Sequence, residues 1–303
     1  MRKFILFTLL FCFIASFADA QGRKRRGRST FNRKKPPYRY ELIGSLGATN
    51  FLGDLGGANQ IGTNGLRDLE IGLTRPALGV GVRFKLQKYI SAKGNFYWGI
   101  IRGDDKLTKE YFRNRRNANF KSNIFELSVQ VEANFLKEQK GHVYNIKGVR
   151  GMKHKDRQLY LFGGFGGIYF NPKGKYINGA WYALQPLHTE GVTYSRITAL
   201  ISVGGGARFA INRYWGIGFE LGMRKTFSDY IDDVSTTYAD PEIFNGDPKA
   251  IHFANPSDPS RPDVCIPCIG EQRGDPKDKD AYMFGLVTVG YKVMYKKRSR
   301  SKF

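Results

Sequence analysis

The chain has 303 residues, a formal net charge of +23 and a mean hydropathy of −0.41. Beyond residue 17 it contains no run of about 18 successive apolar residues, which excludes a membrane-spanning helix and leaves strands as the only means of crossing lipid. Three cysteines are too few for a disulfide framework, so the fold must be held by strand pairing.

Arg2 and Lys3 precede an apolar run, 4–17, and Ala18-Asp19-Ala20 offers small residues for cleavage before Gln21. This is the pattern of a secretory signal peptide, and Cys12 lies within the part removed. Residues 21–37 are basic and read as a disordered segment. From residue 38 the chain changes character. Glycine and large apolar residues alternate in bursts such as Leu78-Gly79-Val80-Gly81-Val82-Arg83-Phe84 and Trp215-Gly216-Ile217-Gly218-Phe219-Glu220-Leu221. Alternate side chains of a strand point to opposite faces, so one face is continuously apolar and the other is small or charged.

Eight strands are predicted, over 38–48, 78–86, 90–101, 123–136, 159–170, 194–211, 215–227 and 281–295. Tight turns at Gln87-Lys88-Tyr89 and Asn212-Arg213-Tyr214 alternate with long connections. The expected fold is all-β: an eight-stranded antiparallel transmembrane β-barrel with long extracellular loops and short periplasmic turns, spanning 38–295 and followed by a basic tail, 296–303. Parity places Leu78, Val80, Val82, Phe84, Trp215, Ile217, Phe219, Val287, Val289 and Tyr291 outward. It places Arg83, Lys85, Glu126, Glu132, Arg196, Arg208, Glu220, Arg224 and Lys292 inward, where opposite charges must pair because an unpaired buried charge is costly. The segment 159–170 is apolar on both faces, and parity does not assign it. Eight strands enclose a space that side chains fill, so transport through the lumen is not expected.

Most of the positive excess falls in three segments: 21–40, 137–157 and 296–303. On the expected topology they share the periplasmic rim. Lys147, Arg150, Lys153, Lys155, Arg157, Lys296, Lys297 and Arg298 then form a basic surface for an acidic periplasmic partner or for outer-membrane lipid headgroups, against the alternative of a solvated charged tail. An export signal argues against nucleic acid as the partner.

The remaining motifs read plainly. Arg102-Gly103-Asp104 and Arg273-Gly274-Asp275 carry turn residues. Gly163-Gly164-Phe165-Gly166-Gly167 lacks the Lys and Ser/Thr of a phosphate loop. Cys265-Ile266-Pro267-Cys268 lacks two further zinc ligands, and a local disulfide between Cys265 and Cys268 is the expected state. Asp229, Asp232, Asp233 and Asp240 are assigned to turns and to pairing with Arg224 or Lys225. His142, His154, His188 and His252 are scattered through loops; no catalytic set, cofactor or metal site is expected.

Gly47-Ala48-Thr49-Asn50-Phe51-Leu52-Gly53-Asp54-Leu55-Gly56-Gly57, Asn171-Pro172-Lys173, Trp181-Tyr182-Ala183-Leu184-Gln185-Pro186-Leu187-His188-Thr189-Glu190-Gly191, Arg224-Lys225-Thr226-Phe227-Ser228-Asp229-Tyr230-Ile231-Asp232-Asp233-Val234-Ser235 and Gln272-Arg273-Gly274-Asp275-Pro276 occur in this order. Together they resemble the PorG-like (DUF6089) outer-membrane β-barrels of the type IX secretion and gliding machinery. The resemblance implies a non-enzymatic accessory barrel associated with a periplasmic ring built from a lipoprotein and its partner. The basic stretch 21–37, the basic turn 137–157 and the Cys-x-x-Cys loop depart from that family's pattern. The rival expectation is a surface-exposed binding or adhesion barrel acting through loops 171–193 and 228–280.

Overall fold

The computed structural model describes residues 38–53, 55, 71–87, 89–107, 111–135, 157–212, 214–257 and 268–294. The alternation of glycine or charge with large apolar residues produces long strands: β1 (Tyr38–Leu52), β2 (Arg75–Lys85), β3 (Ile90–Asp104), β4 (Asn119–Asn134) and β5 (Arg157–Lys175). After a three-residue strand, β6 (Trp181–Ala183), come β7 (Ile197–Ala210), β8 (Trp215–Thr226) and β9 (Ala281–Met294). All neighbours are antiparallel, in the order β4-β3-β2-β1-β9-β8-β7-β5, and β4 also pairs with β5. The sheet therefore closes on itself with eight strands, and β6 is an annex hydrogen-bonded to the end of β5. Closure leaves no sheet edge within the wall, which is what a strand protein needs in hydrocarbon.

The expected tight turns are built from local hydrogen bonds. Leu86 and Gln87 N–H both donate to the Ile90 carbonyl, and Ile211 and Asn212 N–H to the Trp215 carbonyl. The Asn212 carboxamide oxygen accepts from Tyr214 and Trp215 N–H, both at 2.8 Å, a side-chain mimic of a backbone turn.

The outer surface follows the predicted parity. Leu42, Leu46, Leu78, Val80, Val82, Leu127, Val129, Val131, Phe219 and Val289 are exposed although apolar. A continuous apolar surface of this kind is unfavourable in water and matches a barrel wall in lipid. Aromatic side chains border it at both ends. Tyr40 packs on Phe84 and Trp215 on Tyr291 at the turn side, with ring centroids 5.1 and 5.0 Å apart. Trp98, Phe125 and Tyr169 share one register row at the loop side. β5, which parity leaves unassigned, turns Tyr160, Phe162, Ile168 and Phe170 inward and Leu159, Leu161, Phe165 and Tyr169 outward.

The structure corrects the predicted boundaries mainly at the loop side, where β1 to β5 run three to five residues beyond them. The apolar period stops at the aromatic row, but the hydrogen-bond ladder does not. Beyond the row the outward positions turn polar: Asn123 and Asn171, with Ile100 of β3 beside them, then Arg102, Lys121 and Lys173. Residues 194–196 are loop, not strand, because Tyr194 stacks between Phe170 and Tyr230. Arg102-Gly103-Asp104 lies within β3 rather than a turn, and Arg102 pairs with Asp104 at 3.1 Å.

Candidate functional site

Inside the wall, charged and hydroxyl side chains are stacked in tiers from the turn side upward. In the lowest tier Arg83 donates to Glu41 and to Glu132, both at 2.7 Å. Arg208 lies 3.4 and 3.5 Å from the same two carboxylates and donates to Asn134. The ammonium groups of Lys85 and Lys292 each sit 5.0 Å from the centre of the Tyr38 ring. In the middle tier Lys93 donates to Glu220 at 2.7 Å, and Glu220 also accepts from the Tyr97 and Tyr160 hydroxyls. Above it Glu126 accepts from Tyr282 and Ser128, with Arg224 at 3.4 Å and stacked 4.5 Å from the centre of the Phe284 ring.

The expected interior charges Arg83, Glu126, Glu132, Arg208, Glu220 and Arg224 all face the lumen; five are buried, and Arg208 is partly exposed at the lower mouth. Sequence reasoning omitted Glu41 and Lys93, although both lie at inward parity. Arg196 is only half-buried at the loop side, where it donates to Gln185.

The lumen is filled. Two cavities near its lower mouth, beside Glu41, Arg83 and Arg208, have volumes of about 20 and 10 Å³, each the scale of one water molecule. Higher up, Phe51, Ile101, Phe120, Ile124, Phe170, Leu200 and Phe284 form an apolar plug.

Above the plug the long loops fold into a polar cap. Arg273 donates to Glu190 at 2.8 Å and to the Asp233 and Phe253 carbonyls. Glu190 also accepts from Ser235 and Thr236 N–H. Burial alone would raise the Glu190 carboxyl, but Arg273 and these amides hold it below its ordinary range. Asp233 accepts from Thr189 and Tyr194, both at 2.6 Å. Its burial outweighs these bonds and Arg273, pushing its carboxyl up to about 6. Asp232 takes the Leu55 N–H, and Asp105 pairs with Arg116 at 2.8 Å.

Three expectations are therefore revised. The aspartates 229, 232 and 233 organise the cap instead of pairing with Arg224, which faces Glu126, or with Lys225, whose nearest carboxylate is Asp278 at 4.0 Å. Asp240 caps a 3₁₀ turn at Pro241–Phe244. Arg273 is a buried anchor, not a turn residue.

At the turn-side rim, Arg157 opens β5 with its side chain exposed, as does Arg39 on β1. Lys147, Arg150, Lys153, Lys155, Lys296, Lys297 and Arg298 lie outside the described residues, as does Cys265. Cys268 is disulfide-bonded. No cluster of His, Cys, Asp and Glu with metal-binding geometry occurs among the described residues.

The family model described as "Domain of unknown function (DUF6089)" matches residues 40–245. No curated protein matches the chain. Among solved structures, the barrel is similar to Ail, the attachment invasion locus protein of Yersinia pestis, at 10% identity and a TM-score of 0.37, covering 84% of this chain and 99% of that one. It is also similar to Neisserial surface protein A at 7% and 0.38, covering 84% and 96%. For OprG of Pseudomonas aeruginosa the figures are 11% and 0.35, covering 85% and 98%.

Proposed function

The chain belongs to the DUF6089 family, and from that membership and the filled lumen we propose that it is a non-enzymatic accessory barrel of the type IX secretion and gliding machinery. In this reading it is exported by a cleaved signal peptide and sits in the bacterial outer membrane. Its turn-side rim docks the periplasmic ring formed by a lipoprotein and its partner. The observation that carries the reading is the lumen: its described side chains interlock in tiers under an apolar plug, and the two cavities at its lower mouth each have room for about one water, so work falls to the rims. In this reading the basic segments supply a rim of net positive charge, and the exposed Arg157 and Arg39 continue it onto the wall. Opposite charge on a partner would steer and hold it there in a salt-dependent way.

Co-purification tests this. A mild-detergent extract should retain ring proteins on the tagged barrel, and removing 137–156 and 296–303 together with Arg157→Glu should release them at lower salt. Retention unchanged by all three alterations would remove the basic rim from the mechanism. If cargo secretion continued without the barrel but cell-surface binding failed when loops 171–193 were trimmed, the surface-binding alternative would replace this reading.

A further inference from the structure

The strand extensions on the loop side carry a patch that neither the barrel wall nor ring docking uses. β3 pairs with β4 so that Arg102 stands directly opposite Lys121, and β4 pairs with β5 so that Lys121 stands directly opposite Lys173. All three side chains point away from the lumen, and Lys175 follows on the same face of β5. Adjacent strands lie about 4.8 Å apart, so three cations occupy a row roughly 10 Å wide. Like charges placed directly opposite destabilise a sheet. Among the described wall residues Asp104 offsets Arg102 alone: β5 contains no acidic residue, and Glu126 and Glu132 of β4 point inward, which leaves the two lysines uncompensated. Lys121 and Lys173 form no ion pair among the described residues.

The height of the row is informative. It lies four residues along each strand from the Trp98–Phe125–Tyr169 row that ends the apolar wall. With a strand rise of about 3.3 Å and a tilt of about 40°, this is roughly 10 Å above the aromatic row. That is just beyond the headgroup layer, and lysine chains reach several ångströms back toward the membrane. On β8, by contrast, Lys225 has Asp278 beside it at 4.0 Å, whereas Lys121 and Lys173 have no such carboxylate among the described residues.

We propose that Arg102, Lys121, Lys173 and Lys175 bind the phosphorylated sugar headgroup of an outer-leaflet glycolipid. The occupant is chosen by charge and place: phosphates at the lipid surface complement a cation row that stands just above the headgroups, with lysine chains long enough to reach back to them. The inference rests on the outer-membrane reading with the long loops outside, and not on ring docking.

The test uses the full-length barrel in neutral-lipid nanodiscs, with native mass spectrometry counting bound bisphosphorylated lipid A. Wild-type protein should bind it, with at least a tenfold loss in Lys121→Glu/Lys173→Glu and no change in Lys225→Glu. If the double charge reversal fails to fold, judged by heat-modifiable gel migration, Lys121→Gln/Lys173→Gln should show a smaller loss in the same direction. Equal binding by wild type and double variant would overturn the site. Equal uptake of phosphatidylglycerol would overturn the glycolipid assignment, and binding of a soluble sulfated glycan without lipid would assign the face to a soluble ligand instead. Labelling of Ile177→Cys by an impermeant maleimide on intact cells separates the two failures. Labelled cells with no lipid binding refute the row alone, whereas unlabelled cells refute the orientation beneath it.

Discussion

Replacing Lys93 with methionine isolates the middle tier of the lumen. Lys93 is fully buried and its ammonium lies 2.7 Å from Glu220. At an effective dielectric near 20, two charges at that separation attract by about 6 kcal/mol before desolvation is subtracted. Removing one partner of such a pair leaves the other charge stranded, and the expected cost is about 3–5 kcal/mol. Glu220 keeps the hydroxyls of Tyr97 and Tyr160, which favours the lower end of that range. Glu220→Gln in the same background removes the stranded charge, so the double variant should be more stable than Lys93→Met alone. Urea titration of the barrel in micelles or vesicles, followed by tryptophan emission, measures all three variants. A loss under about 1 kcal/mol for Lys93→Met, with no rescue in the double variant, would mean that water reaches Glu220 and that the lumen is not packed as described.

The cap should respond to pH through two opposed carboxyls. Asp233, pushed up to about 6, binds its proton more readily in the folded cap than in the unfolded chain, so its contribution is present at low pH and lost as pH rises through 6. At full strength that is no more than about 3 kcal/mol. Glu190, held low, contributes above the ordinary carboxylate range and loses its contribution as pH falls through its lowered value. Hydrogen exchange across 228–236, corrected for intrinsic rates, should therefore show greatest protection near pH 5, and Asp233→Asn should flatten the fall toward pH 7.5. Unchanged protection between pH 5 and 7.5 in the wild type would sink this. Gly206 faces the lumen where a Cβ would come within 2.6 Å of the Tyr160 ring and hydroxyl. Gly206→Val should displace Tyr160 from Glu220 and lower stability by about 1–3 kcal/mol, and an unaltered urea midpoint would contradict the packing.

Much of the wall was legible because a two-residue period is a strong signal when one parity is large and apolar. The reading weakened where both parities looked alike. In β5 the inward Tyr160 and Phe162 are as apolar as the outward Leu161 and Phe165; the side is settled by the partner strand, whose Gly206 and Gly204 stand opposite those inward rings. Pairing of this kind is a property of two strands and cannot be read from one. Glu41 was visible by parity in Tyr40-Glu41-Leu42, whereas Lys93 is flanked by Ala92 and Gly94, which give parity little contrast. The cap was not legible at all. Asp232 meets Leu55 across 177 residues and Arg273 meets Glu190 across 83, and such contacts leave no local pattern. Pro172 read as a loop residue, yet it lies within β5, facing Ser122.

The join between β1 and β9 has a consequence for biogenesis. These strands match from Tyr38 with Met294 to Leu52 with Ala281, uniting stretches at opposite ends of the cylinder's sequence. No earlier pairing can seal the tube, so β1 and β8 each keep one edge unpaired until the segment 281–294 is in place. During that wait the chain is vulnerable to proteases and to wrong partners, and a truncation before residue 281 would leave the breach permanent.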